Sequence, residues 1–155
     1  MFKLSLYLHI ISAMFWIGGM LFITLVIAPY LSTIEDRRQR SAIYQVVGKK
    51  FRSIAWIAII IMLVTGPINL YYIGVTPSVL FDIDFARSSF GMAIWLKILV
   101  IILLLISSLA HDFWLGPKAR NSPNFSKIAK IMGRSNLLLA LIIALLAVFI
   151  RAGGL

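Results

Sequence analysis

Residues 4–30 read LSLYLHIISAMFWIGGMLFITLVIAPY, a stretch with no Asp, Glu, Lys or Arg in it. At 1.5 Å of rise per residue a helix of this length exceeds a hydrocarbon core of about 30 Å, so the stretch reads as a membrane span. Its one histidine is His9. On a helix, Ser12, Ala13, Trp16, Gly19 and Met20 share the face of His9: three small side chains, a flat aromatic and a methionine. An imidazole inside a bilayer is costly unless it meets protein, water or a ligand, which makes His9 the first candidate for function.

The rest of the chain repeats this character. Of its 155 residues 61% are hydrophobic, and the mean hydropathy is +1.00. Soluble domains carry about 45–50%. Apolar runs at about 4–30, 51–72, 91–114 and 136–150 predict an all-α integral membrane four-helix bundle, one domain spanning residues 1–155. The first run is too long for a signal-peptide core and is followed by no small-residue cleavage site, so it is expected to stay as a span. The absence of cysteine excludes disulfides, thiolate metal sites and thiol catalysis. A net charge of +10 would suit nucleic acid, but the basic residues flank the apolar runs, where they set orientation in a lipid bilayer instead. Arg37, Arg38, Arg40, Lys49, Lys50 and Arg52 lie between spans one and two. Lys118, Arg120, Lys127, Lys130 and Arg134 lie between spans three and four, against Lys3, Arg87 and Arg151 on the other side. Both termini are therefore expected on the outer side of a cytoplasmic (inner) membrane.

The connections carry their own signals. Ser32 precedes Glu35 by three residues, a capping-box spacing that predicts a short surface helix. Pro67, following Thr65 and Gly66, predicts a kink or unwinding of span two. Gly116 and Pro117 are expected to stop the third helix, and Gly153-Gly154-Leu155 to form a flexible tail.

Lys97 and His111, fourteen residues apart, fall on one stripe of span three with Ile101, Leu104 and Ser108. Counting from the span centres puts His9, Lys97, Asn69 and Arg151 in one outer layer, and His111 with Asp112 at the depth of Arg52, Arg134 and Asn136. The two histidines differ by roughly 24 Å of depth, which rules out a single bis-histidine cofactor within one chain. A haem b would need an axial nitrogen, a flat apolar slot and a cation for its propionates. His9 can supply the first, packing by Trp16 and Trp95 the second, and Arg151 the third. Lys97 is read as a second ligand or propionate partner, neutral in the first role, and His111 as a ligand for a second metal or as a helix-end pair. The small residues Ser12, Ala13, Gly18 and Gly19 also suit a homodimer interface.

The stretches LHIISAMFWIGGMLF, KKFRSIAWIAIIIMLVTGPINL and WLKILVIILLLISSLAHDFWLGP resemble the CopD-like copper-resistance membrane family and its relative, the HemJ-type protoporphyrinogen oxidases. The resemblance to the oxidases implies haem b on His9 and Lys97. The exit IAPYLSTIED lacks the aromatic, basic and histidine residues of those enzymes, which argues against porphyrinogen oxidation. The CopD side implies copper handling by His9, Met14, Met20 and Met92. The reading that follows is a haem b-binding membrane protein working in electron transfer, with a quinone or a redox partner protein, or in haem transport. Whether it is a haem-dependent oxidoreductase stays open. Copper transport is the alternative, and a cofactor-free partner subunit a third.

Overall fold

A computed structural model describes residues 1–119 and 122–155; Arg120, counted above among the basic residues, lies outside them. The described residues are almost wholly helical, and four helices are long and apolar enough to cross a membrane: α1 (Phe2–Ser32), α2 (Arg37–Tyr72), α5 (Ser89–Ala119) and α6 (Pro123–Ala152). Two short helices, α3 (Pro77–Leu80) and α4 (Ile83–Arg87), precede α5. The chain divides into two compact units, Met1–Gly74 and Val75–Leu155.

The first unit is an antiparallel hairpin of α1 and α2. Spacings of three and four residues place Phe2, Ser5, His9, Ser12, Trp16 and Gly19 on one face of α1, and Ser5, Ser12 and Trp16 on that face are buried. The opposing face of α2 buries Ala55, Ala58, Ile59 and Thr65. Small residues let the backbones approach, which is how helices associate where lipid removes the hydrophobic drive. Gly19 makes room for the ring of Phe51, which an added Cβ would meet at 2.2 Å. Phe2 stacks on Tyr72 with ring centroids 5.3 Å apart, closing the far end.

The connection between these helices departs from the sequence expectation. Ser32 does not open a helix. Its hydroxyl donates back to the Pro29 carbonyl, and that of Thr33 to the Tyr30 carbonyl, so both close α1. Asp36 is the N-cap instead, accepting from the Arg38 amide at 2.8 Å. A carboxylate is the stronger cap because its charge also meets the positive helix end. No separate surface helix follows. The basic segment and span two are one helix of 36 residues, about 54 Å long. Pro67 lies inside it without ending it, so the expected unwinding is not found.

In the second unit Thr76, Asp82 and Ser88 cap α3, α4 and α5 in turn. α5 packs on α6 through buried Ala93, Ile94, Val100 and Leu104 on one side and Leu137, Ala140 and Leu146 on the other. Gly116 and Pro117 do not stop α5. A π-helical stretch, Ala110–Leu115, absorbs the strain ahead of Pro117 and the helix continues to Ala119. Pro29 in α1 is preceded in the same way by a π stretch at Ile23–Ile27. A proline removes one helical hydrogen bond and crowds the carbonyl four residues back, and a wider turn relieves both. The C-terminal residues are not a loose tail. Gly153, at φ +104°, ends α6, and the Leu155 amide donates to the Ser89 carbonyl while the Ser89 hydroxyl donates to Leu155 O.

Candidate functional site

In the first unit, polar side chains gather where α1 begins. His9 Nδ1 lies 2.8 Å from Thr65 Oγ1, and the Thr65 hydroxyl lies 2.7 Å from the Ile61 carbonyl oxygen. A carbonyl oxygen only accepts, so the single hydroxyl proton of Thr65 goes to Ile61. Thr65 Oγ1 therefore accepts from His9, whose Nδ1 carries the hydrogen. In a neutral imidazole this leaves the lone pair on Nε2, the tautomer that suits a metal at that nitrogen. The ring edge is seated on Gly66, where an added Cβ would be 3.6 Å from Cε1. Ser5, one turn away, donates to the Thr65 carbonyl at 3.5 Å, and Asn69, one turn beyond Thr65, has a buried Oδ1 with no hydrogen-bond partner. Further along the hairpin a shallow apolar groove of about 270 Å³ is lined by Ile11, Ser12, Phe15, Ile54 and Ile61 among others.

The second unit holds another polar group. His111 Nδ1 lies 2.8 Å from Asp112 Oδ1. The carboxylate accepts, so Nδ1 again carries the hydrogen. A Cβ on Gly133 would be 3.7 Å from His111 Nε2. Asn136 donates to Ser108 Oγ at 3.3 Å and accepts from the Ser107 hydroxyl, tying α5 to α6.

The remaining candidates have more ordinary surroundings. Trp16 is buried on the packed face of α1, two turns along from His9. The Trp95 indole donates to the Leu80 carbonyl at 3.2 Å and meets Phe81 edge-on, anchoring α3 to α5. Arg151 is exposed in the last turn of α6, where a cation complements the carbonyl end. Lys97 belongs to the second unit, half-buried on the packed face of α5. Met14 is 64% exposed and sits five residues from His9, about 140° round the helix, so it does not join the imidazole. The described residues contain no group of three or more His, Asp or Glu that could enclose a metal. Thr65 is the partner that the sequence reading missed for His9. The depth estimate grouped His9 with Lys97, Asn69 and Arg151, of which Asn69 lies one turn from Thr65 on α2.

A helical membrane protein with an imidazole held by Nδ1 on the small-residue seam of a transmembrane hairpin is the class that fold and site define. The chain belongs to the copper resistance protein D family, whose model matches residues 45–152. The match includes Thr65, Lys97 and His111 and begins after His9. An uncharacterized protein of Aquifex aeolicus (strain VF5) is 37% identical over 153 residues, covering 97% of this chain and 96% of the relative. No solved structure matches. Together, the four apolar helices and the family make this a multi-pass membrane protein.

Proposed function

We propose that this protein handles copper within the cytoplasmic membrane, binding it through His9 Nε2 and passing it across. The observation that carries the reading is the 2.8 Å contact of His9 Nδ1 with Thr65 Oγ1, whose hydroxyl bonds to the Ile61 carbonyl, an arrangement that favours the tautomer with its lone pair on Nε2. Family membership supplies the metal. The sparse donor set suits Cu(I), which accepts few soft or borderline ligands, better than an ion that demands a full oxygen shell. Haem b would use the same nitrogen, but the groove in this hairpin is lined by Ser12 and apolar side chains and offers no cation for propionates.

Purified protein, titrated anaerobically with Cu(I) against a chromophoric chelator, should bind copper, and His9→Ala should lose that binding. Copper binding by His9→Ala equal to the parent's would overturn the reading. A dithionite-reduced spectrum with Soret and α bands that vanish in His9→Ala would replace copper with haem b.

A further inference from the structure

On α2, Lys50, Ile54, Ile57 and Ile61 recur at spacings of four, three and four, so they fall on one stripe of the helix. On α1, Ile11, Phe15 and Gly18 do the same. The apolar groove of the first unit lies between these stripes, with the small buried residues Ser12 and Ala58 as its floor. Its walls, Ile11 and Phe15 on one helix and Ile54 and Ile57 on the other, are exposed. The Phe15 ring is backed by that of Phe51, with 6.4 Å between centroids. At Gly18 an added Cβ would meet nothing within 4 Å, so the α1 wall is open at the end nearer Lys50.

The depth of the groove matches its charge. The uncharged part of α2, residues 53–72, is about 30 Å long as a helix, the thickness of a hydrocarbon core. Lys50 therefore stands at the edge of the hydrocarbon, and the groove from Ile54 to Ile61 runs about 10 Å into the adjoining half. An apolar trough with an ammonium at its rim follows the order of a phospholipid from acyl chain to phosphate.

The ammonium is not neutralised from within the hairpin. The two carboxylates of the first unit, Glu35 and Asp36, both precede α2, and Asp36, already engaged as its N-cap, lies about 21 Å along the helix from Lys50. A zwitterionic headgroup would bring a cation of its own to a rim with no carboxylate to receive it, whereas an anionic one brings only the charge that is missing. We propose that the groove binds an anionic phospholipid, with one acyl chain lying over Ser12 and Ala58 and the phosphate held by Lys50.

The test uses the full chain, freed of lipid in detergent and given equimolar phosphatidylglycerol and phosphatidylcholine with identical acyl chains. Native mass spectrometry should show the first retained lipid to be phosphatidylglycerol by about fivefold, the worth of one lysine at a membrane surface. Lys50→Gln should abolish the preference and Lys50→Arg should keep it. Lys49→Gln, about 100° round the helix, should leave it unchanged. Gly18→Leu puts a side chain into the open end of the groove and should lower retention of both lipids several-fold. Equal retention of the two lipids by the parent overturns the site. So does a preference that survives Lys50→Gln, or one that falls equally in Lys49→Gln, the sign of diffuse charge. Undiminished retention in Gly18→Leu removes the groove as holder of the chain, and the proposal with it. A dimer mass that gives way as lipid is added would assign the groove to a second copy instead. None of these readouts involves copper, so the lipid site stands or falls apart from the copper reading.

Discussion

The Thr65 hydroxyl, bonded to the Ile61 carbonyl, favours the His9 tautomer that carries its hydrogen on Nδ1. Thr65→Val keeps the shape of the side chain but removes the acceptor, leaving Nδ1–H buried without its partner. We expect Cu(I) affinity to fall by about 10–100-fold, the usual effect of removing an outer-shell partner, while Thr65→Ser should stay near the parent; chelator competition measures both. Glycines make a second residue-scale comparison. At Gly19 an added Cβ meets the ring of Phe51, which can turn aside, whereas at Gly91 it would meet the Phe85 carbonyl oxygen at 1.9 Å, a backbone atom held by α4. Gly19→Ala should cost about 1 kcal/mol and Gly91→Ala about 3 kcal/mol or more, the range from mild to severe overpacking. Thermal unfolding in detergent should rank them in that order.

At the scale of the element, the two π stretches each end two residues before a proline, Ile27 before Pro29 and Leu115 before Pro117. Pro117→Ala restores the missing amide and lets the turn around His111 tighten toward an α-helix. His111 and Asp112 should then part, and nitrogen NMR of the His111 ring should report the lost hydrogen bond. The spans themselves were readable from sequence because an uncharged apolar run has few alternatives to a transmembrane helix. Their ends were not. The hydroxyls of Ser32 and Thr33 can bond backward to α1 as well as forward, and only the backbone shows which occurs. Gly116-Pro117 reads as a stop signal unless a π turn precedes it, and spacing alone does not announce one. His9 stood out because an imidazole in a bilayer needs a partner. Thr65 did not, because the register of α2 against α1 is set by packing at Gly19, Ala55 and Ala58, which no local pattern fixes.

For the whole molecule, orientation decides which face of the membrane the His9 end of the first hairpin serves. Six basic residues between spans one and two and five between spans three and four, of 15 in all, predict that those connections face the cytoplasm. The segment with α3 and α4 would then face outward. The chain has no cysteine, so a single introduced thiol can be labelled without background. Gln39 and Ser78 are both exposed, one near the start of α2 and the other in α3. With a membrane-impermeant maleimide, Ser78→Cys should react in intact cells, and Gln39→Cys only after the membrane is opened. That outcome places the start of α1, and His9 with it, on the outer side, where the proposed ligand would receive copper from outside the cell. The reverse labelling pattern would put His9 on the inner side, where it would receive copper from the cytoplasm. It would also mean that the basic connections are held outside by something stronger than their charge.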